Sequence, residues 1–241
     1  MIVQKYGGSS LANAKKIKSV AVQVANAKKR DNNVVVIVSA MGKTTDNLIK
    51  LAYKVSGRPN EREFDRLLST GEIVSSALLV MALKSLKYDA VSLTGAEAGI
   101  QTDANFTRAR IQKVEPRRIL KELKQEKIVV VAGFQGITKQ RDITTLGRGG
   151  SDVTAVILAV ALGAEICEIY TDVEGICTAD PRIVPEARRL EQISYEEALE
   201  LASCGAEVIH PRAVELGWHY KIPILVASSF SNNPGTIICS F

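Results

Sequence analysis

The sequence is poor in the residues that build metal centres and disulfide frameworks. Its 241 residues include only four cysteines and two histidines, and the cysteines show neither a Cys-x-x-Cys pair nor another metal-type spacing. In a chain without a secretion signal, such cysteines are expected to be reduced thiols. We therefore predict no dedicated set of metal-ligating residues, and a cytoplasmic protein.

Long apolar runs and a leader segment are also missing. No stretch approaches the roughly 20 apolar residues of a membrane span, and the first residues enter a strand-like run without the regions of a signal peptide. Lys and Arg exceed Asp and Glu only modestly, 31 against 26, and the basic residues are dispersed. We expect neither a membrane nor a nucleic acid as partner, and the small excess of positive charge suits a pocket for a polyanionic nucleotide.

Short β-branched apolar runs alternate with helical patterns along the chain. The predicted strands are Ile2–Val3, Val34–Val38, Ala90–Leu93, Ile128–Ala132, Ile166–Tyr170 and Ile224–Ala227. The predicted helices are Ala12–Arg30, Glu61–Leu86, Pro116–Glu126 and Ser151–Leu162. Because alternating strands and helices require crossover connections, they predict an α/β three-layer sandwich with a central, mostly parallel sheet covered by helices on both faces. No linker divides residues 1–241, which we treat as a single domain.

Two stretches interrupt this pattern. Residues 133–150 are polar and glycine-rich, and residues 172–190 contain two prolines and almost no periodicity. Loops of this length inside a compact domain are usually functional, and we expect both near one edge of the sheet. The tail 232–241 has a turn signal followed by apolar residues, which predicts a closing hairpin strand.

Two familiar nucleotide-binding motifs fail on inspection. Gly42-Lys43-Thr44 resembles the end of a P-loop, but Ile37 stands where that motif requires its first glycine. Gly147 and Gly149 match the first two glycines of a dinucleotide fingerprint, but Asp152 takes the third position. The sequence therefore favours neither an NAD-dependent enzyme nor a P-loop protein.

Two other glycine loops carry the chemistry. The first, Lys5–Ser10, follows the first strand, and its backbone N–H groups can face an anion beside the ammonium of Lys5. Taken alone it is explained more simply as a tight strand-to-helix turn. The second, Thr144–Asp152, adds Arg148, which suits a carboxylate, and Asp152, in the first turn of a helix. Together they supply what phosphoryl transfer needs: cations, backbone donors and a carboxylate for Mg²⁺.

At this point the chain resembles the aspartokinase catalytic domain of the amino-acid kinase family. The matching segments occur in family order over nearly the whole chain: Lys5–Ser10, Ser39–Gly42, Ser69–Glu72, Gly133–Gly136, Thr145–Asp152, Thr171–Gly175, Thr178–Arg182 and His210–Glu215. The resemblance implies an amino-acid kinase fold and transfer of the γ-phosphoryl group of ATP, with Mg²⁺, to the β-carboxylate of L-aspartate. The product is 4-phospho-L-aspartate, formed in the first step of lysine, threonine and methionine biosynthesis.

The resemblance also implies roles for individual residues. The catalytic residues are Lys5, which stabilises the transferring phosphoryl group, and Asp152, which organises the metal and the catalytic centre. The nucleotide-binding residues are Lys5, Gly7, Gly8, Ser9, Thr171, Asp172 and Arg182. The aspartate-binding residues are Ser39, Thr45, Glu72, Arg148 and Gly149, with Arg148 on the α-carboxylate and Glu72 on the α-ammonium group. The N-terminal half would bind substrate and the C-terminal half nucleotide.

Histidine chemistry is not required, because a carboxylate acceptor is already ionised at neutral pH. His210 and His219 are therefore expected to have no catalytic role, and His210, before Pro211, is predicted to cap or pack a helix. The sequence departs from the family at Cys177, where a tyrosine is common, and at Glu207, where some members carry lysine. Both changes bear on nucleotide affinity.

Several questions stay open at this stage. The chain stops at Phe241 and is expected to lack the regulatory ACT domains of its family, and hence to be insensitive to lysine and threonine unless a separate regulatory subunit supplies that site. A homo-oligomer is expected. The alternatives are a related kinase for another acidic amino acid and a nucleotide-binding subunit without catalytic activity.

Overall fold

The computed structural model describes residues 1–30, 33–206 and 208–240. The strands are β1 Ile2–Tyr6, β2 Val34–Val38, β3 Ala90–Leu93, β4 Ile100–Thr102, β5 Ile111–Val114, β6 Ile128–Ala132, β7 Gln135–Ile137, β8 Ile143–Thr145, β9 Ile166–Thr171, β10 Gln192–Ile193, β11 Ile224–Ser228 and β12 Thr236–Ile238. The α-helices are α1 Ala14–Arg30, α2 Thr44–Val55, α3 Glu61–Leu68, α4 Thr70–Ser85, α5 Arg117–Leu123, α6 Gly150–Leu162, α7 Tyr195–Ser203 and α8 Pro211–Tyr220. A short 3₁₀ helix, Gly8–Leu11, follows β1.

The central sheet has eight strands in the order β10-β12-β11-β9-β1-β2-β6-β3. Every neighbouring pair is parallel except β11 and β12, which form an antiparallel hairpin. The mostly parallel sheet and the closing hairpin strand are therefore confirmed. Because the parallel strands share one direction, the segments that follow β1, β2, β6 and β9 all leave from the same edge.

Strand β2 illustrates why the predicted strands are apolar at every position. Val34, Val36 and Val38 pack against residues of α1 and α4 on one face of the sheet. Val35 and Ile37 face the other side and join the core formed with α5, α6, α7 and α8. Since both faces are covered, alternation of polar and apolar residues is lost. Helices on both faces confirm the predicted three-layer architecture.

The glycine-rich stretch 133–150 is not the irregular loop that we predicted. It contains β7 and β8, an antiparallel hairpin in a second sheet of four strands ordered β5-β4-β7-β8. These strands have three or four residues each and include Thr, Gln and Gly. So short and polar a segment has no strand periodicity, and its tertiary pairing determines its conformation instead.

Two of the observed helices, α2 and α7, were not predicted, and one predicted helix is divided in two. The predicted helix Glu61–Leu86 is interrupted at Ser69, which ends α3 and begins α4 while keeping a right-handed helical backbone. Helix α2 is amphipathic but lies at the periphery, with Ala52 as its single buried residue. His210 does cap α8, since its side chain accepts a hydrogen bond from the N–H of Arg212.

In the described part of the chain, one helical run, Glu61–Ser85, is long and apolar enough to cross a membrane by length and composition. Its first turns are strongly charged. Leu79 and Leu83 lie in the core beneath α1, and Glu72 is buried as well. These features are those of a core helix.

Candidate active site

A cavity of about 1250 Å³ opens at the carboxyl edge of the large sheet. Its walls come from the ends of β1 and β2, from α2 and α3, and from the glycine loop that leads into α6. The predicted site residues that line it are Lys5, Gly8, Ser39, Thr45, Glu72, Arg148, Gly149 and Asp152. The structure thus brings the predicted catalytic and aspartate-binding residues together in one cavity.

Lys5 and Asp152 form an ion pair at the base of this cavity. The Nζ atom of Lys5 lies 2.6 Å from Oδ1 of Asp152, and both side chains are about nine-tenths buried. Lys5 projects from β1 towards α6, where Asp152 occupies the first turn. Burying two charges is costly even when they pair. Such a pair is weak evidence for stability, and its position in a cavity favours a functional role.

Close packing explains the glycines of the first loop. A Cβ atom on Gly8 would lie 2.7 Å from the carbonyl oxygen of Ala40, so only glycine lets the loops after β1 and β2 touch. The Gly8 carbonyl accepts a hydrogen bond from the N–H of Gly42. The Gly7 N–H is donated to the Tyr170 carbonyl, and this group is therefore not free to bind an anion.

Left-handed backbone shapes the second loop. Gly147 and Gly149 have φ angles of +75° and +67°, which side-chain-bearing residues rarely adopt. A Cβ atom on Gly149 would lie 2.1 Å from Cγ of His210, so the imidazole packs directly against the loop. The His210 N–H also lies 3.4 Å from Oδ2 of Asp152. Arg148 is exposed within the loop and lines the cavity.

Glu72 is a carboxylate held in the cavity wall with half of its hydrogen-bonding capacity unused. Its Oε1 accepts the N–H of Ala40 at 3.1 Å, whereas Oε2 has no hydrogen-bond partner among the described residues. The residue is only 3% exposed, and this burial is the main reason that the pKa of Glu72 is raised to about 7. A buried, unsatisfied acceptor of this kind calls for a cationic or donor ligand.

Other predicted residues lie away from this cavity. Gly7, Ser9, Thr171, Asp172 and Arg182 do not line it. Thr171 ends β9, its hydroxyl donates to Asp172, and Arg182 is an exposed residue paired with Asp180. The backbone of Cys177 forms an isolated antiparallel β-bridge with that of Arg189. Glu207 lies outside the described residues.

Sequence reasoning missed several cavity residues. Arg58, Arg108 and Arg212 add positive charge to the lining, and His210 completes the wall beside Asp152. His210 and Arg212 lie in a segment that the resemblance had marked, and that signal could have placed them at the site. Arg108 carries no local signal, because its position depends on distant hydrogen bonds.

Fold and site together define an α/β protein with two glycine-rich loops and a buried Lys–Asp pair at the carboxyl edge of a mostly parallel sheet. The model of the amino acid kinase family matches residues 1–228. The chain belongs to the amino acid kinase family.

Known relatives agree with this assignment. The chain is 56% identical over 238 residues to an aspartokinase of Bacillus sp. (strain MGA3), covering 99% of this chain and 58% of the relative. The aspartate kinase of Synechocystis superposes with a TM-score of 0.89 at 48% identity, covering 100% of this chain and 40% of that one. Aspartokinase III of E. coli, solved with aspartate and ADP, gives 0.88 at 28% identity, covering 100% and 64%. The chain therefore spans little more than half of the curated relative's length.

Proposed function

We propose that this chain is an aspartate kinase catalytic unit that transfers the γ-phosphoryl group of ATP to the β-carboxylate of L-aspartate. The observation that carries this proposal is the half-satisfied carboxylate of Glu72 in a cavity that also holds Arg148, Lys5 and Asp152. The product would be 4-phospho-L-aspartate, the first intermediate of lysine, threonine and methionine biosynthesis. A solved relative that holds aspartate and ADP supports the same assignment.

Recognition of the amino acid needs one anionic and one cationic group. In the proposal, Oε2 of Glu72 accepts a hydrogen bond from the substrate ammonium group, and the guanidinium of Arg148 binds the α-carboxylate. Bringing the ammonium group to Glu72 pairs a carboxylate that burial otherwise disfavours. Ser39 and Thr45 lie in the same lining and would contact the reacting end of the substrate.

Phosphoryl transfer needs charge stabilisation and alignment more than covalent help. The ammonium of Lys5 would interact with the equatorial oxygens of the transferring phosphoryl group, where negative charge spreads in the transition state. Asp152, 2.6 Å away, would hold Lys5 in this orientation. The β-carboxylate of aspartate is itself the nucleophile and needs no general base, which leaves His210 free to cap α8.

The donor set suits a magnesium ion bound partly through the nucleotide. No cluster of three or more His, Cys, Asp or Glu side chains exists in residues 1–30, 33–206 and 208–240. Asp152 is the carboxylate beside the catalytic lysine, and Mg²⁺ commonly uses one or two carboxylates together with substrate phosphates. Asp152 would hold the ion, which neutralises phosphate charge when bound.

The nucleotide is proposed to lie along the carboxyl ends of β9 and β11. Thr171, Asp172 and Arg182 belong to segments at this part of the sheet edge. Gly8 and Ser9 would face the phosphates from the loop after β1, where Gly7, whose N–H is bonded to the Tyr170 carbonyl, would shape the turn. The N-terminal half would then bind aspartate and the C-terminal half ATP within a single domain, 1–241. We further propose a cytoplasmic location, as for a biosynthetic enzyme.

Self-association is also part of the proposal. Helix α4 exposes Val74, Leu78 and Met81 in one stripe at helical spacing. An exposed apolar stripe on such a helix supports a homo-oligomer. Light scattering of the chain and of its Leu78→Asp variant tests this, because a monomer in both cases contradicts it. If a separate regulatory subunit exists, a second chain should co-purify with this one.

The activity is tested by trapping the acyl phosphate with hydroxylamine. The purified chain, with ATP and Mg²⁺, is assayed against L-aspartate, L-glutamate and N-acetyl-L-aspartate. We expect hydroxamate with L-aspartate and much less with the other two, because N-acetylation removes the cation that Glu72 requires. Preference for glutamate would indicate another amino-acid kinase, and no product with any acceptor would indicate a binding subunit.

A further inference from the structure

Asp65 is a buried carboxylate that the proposed mechanism does not use. It lies on α3, is fully buried, and does not line the cavity. Its Oδ2 accepts the N–H of Thr107 at 2.9 Å and the N–H of Thr145 at 2.8 Å, and its Oδ1 accepts the hydroxyl of Thr145 at 2.7 Å. With three donors around it, the carboxylate acts purely as an acceptor.

These contacts join two loops that each present an arginine to the cavity. Thr107 directly precedes Arg108, and Thr145 ends β8 three residues before Arg148. The loops also touch each other, since the N–H of Ala109 donates to the carbonyl of Thr145 at 2.9 Å. Both arginines line the cavity. Asp65 is therefore the common attachment point of two cation-bearing segments.

The same helical unit carries the carboxylate proposed to bind the substrate ammonium group. Glu72 lies about two helical turns after Asp65, and the Ser69 backbone between them stays helical. The Ser69 carbonyl accepts a hydrogen bond from Nε2 of Gln135, at the start of β7. Contacts of this one helical segment therefore hold both the β7–β8 hairpin, which leads to Arg148, and the loop of Arg108.

We propose that Asp65 is a positioning residue for acidic amino-acid recognition, holding the loops of Arg108 and Arg148 in place relative to Glu72 without touching the substrate. This inference rests on the proposed function. Burying a carboxylate is costly and seldom stabilises a fold more than an apolar residue would. A role in placing the cations accounts for that cost, because small displacements of binding groups weaken substrate binding strongly.

Three variants separate positioning from charge and from stability. Asp65→Ala removes all three contacts, and we expect the aspartate KM to rise about tenfold or more while the ATP KM stays within about threefold. Asp65→Asn keeps them, because its amide oxygen can accept both N–H groups while its amide nitrogen donates to the Thr145 hydroxyl. Its aspartate KM should stay within about threefold of wild type. Arg62→Ala is the matched control, since it breaks another tie of α3 to the β7–β8 hairpin, the bond to Asp142, and should leave both KM values unchanged.

Other results would overturn the proposal. A wild-type aspartate KM in Asp65→Ala excludes positioning, and an equal loss in Asp65→Ala and Asp65→Asn means that the charge acts directly. Equal rises of both KM values with a lower Tm mean a merely structural role. Thr145→Val, which removes only the hydroxyl donor, should raise the aspartate KM by a smaller factor, and it decides the question if Asp65→Ala does not fold.

Hydrogen exchange keeps this test separate from the proposed function. If wild-type protein does not phosphorylate aspartate, the proposed function has failed, but the positioning claim is still testable. Amides 105–109 and 144–148 should then exchange faster in Asp65→Ala than in wild type, Asp65→Asn or Arg62→Ala. Unchanged protection of these segments in Asp65→Ala would overturn the inference.

Discussion

Replacing Glu72 by glutamine should stabilise the ligand-free protein while abolishing tight binding of aspartate. Burial raises the pKa of Glu72 from 4.5 to about 7, which corresponds to about 3 kcal/mol spent on keeping this carboxylate charged at high pH. Glutamine has the same shape and no charge, and it can still accept the N–H of Ala40. Its amide nitrogen lacks a partner, which costs about 1 kcal/mol, so we expect a net gain of about 2 kcal/mol at pH 8.

The size of this stability gain depends on pH. Because the folded-state pKa of Glu72 lies above the unfolded value, the fold favours the protonated acid, and this contribution is complete below pH 4.5. It is lost as the pH rises through about 7. The advantage of Glu72→Gln should therefore be absent near pH 4.5 and largest above pH 7.

Glu122 provides a matched control with the opposite sign. This helical carboxylate is equally buried, but Lys127 and Arg118 pair with it, and the hydrogen bond from Lys127 is the main cause of its lowered pKa. Its stabilising contribution is present above pH 4.5 and lost as the pH falls through its folded-state pKa. Glu122→Gln should destabilise the protein at pH 8 without changing the aspartate KM.

Urea unfolding at pH 5 and pH 8, without ligands, measures these differences. In the same variants, the aspartate KM should rise about 100-fold for Glu72→Gln. For the wild-type protein, kcat/KM for aspartate should fall about tenfold for each pH unit below 7, because Glu72 becomes protonated. A Glu72→Gln protein that is less stable at pH 8 and binds aspartate normally would refute the assignment of Glu72 to the ammonium group.

Three further substitutions test the rest of the site. Lys5→Ala should lower kcat by a factor on the order of 10²–10³ with the aspartate KM within several-fold, because Lys5 acts on the transition state; near-normal turnover would remove it from the mechanism. Arg148→Lys should raise the aspartate KM roughly tenfold and leave the ATP KM nearly constant, since lysine cannot make a two-point contact with a carboxylate; a selective loss of ATP binding would reverse the assignment. Gly149→Ala places a Cβ atom 2.1 Å from Cγ of His210, at a positive φ angle. Thermal unfolding should therefore show that the free energy of unfolding falls by about 1–3 kcal/mol. Unchanged stability would mean that the loop adapts freely.

The large sheet could be predicted from the sequence because its strands carry a strong local signal. Runs such as Val34–Val38 are apolar at every position, and this pattern has few alternative explanations. The second sheet could not be predicted, since β7 and β8 are three residues long and polar. Pairing with distant segments, and not local preference, makes them strands.

In the candidate site, too, the residues with a local sequence signal could be predicted, and those placed by long-range contacts could not. Lys5, Arg148 and Asp152 could be predicted because glycine loops and the resemblance mark their positions. The proposed role of Asp65, and with it the placement of the Arg108 loop, could not be predicted, because it depends on hydrogen bonds from Thr107 and Thr145, about 40 and 80 positions away from Asp65. The roles of Thr171, Asp172 and Arg182 stay predictions, and these residues lie outside the cavity that contains the others.

The central claim is that the β-carboxylate of L-aspartate receives the phosphoryl group. The most direct test is reduction of the reaction mixture with borohydride, which converts an acyl phosphate into an alcohol, followed by identification of the amino alcohol. We predict homoserine from wild-type chain with ATP, Mg²⁺ and L-aspartate, and very little from Lys5→Ala. Formation of 3-amino-4-hydroxybutanoate would place the phosphoryl group on the α-carboxylate, and the absence of any reduced product would contradict the account.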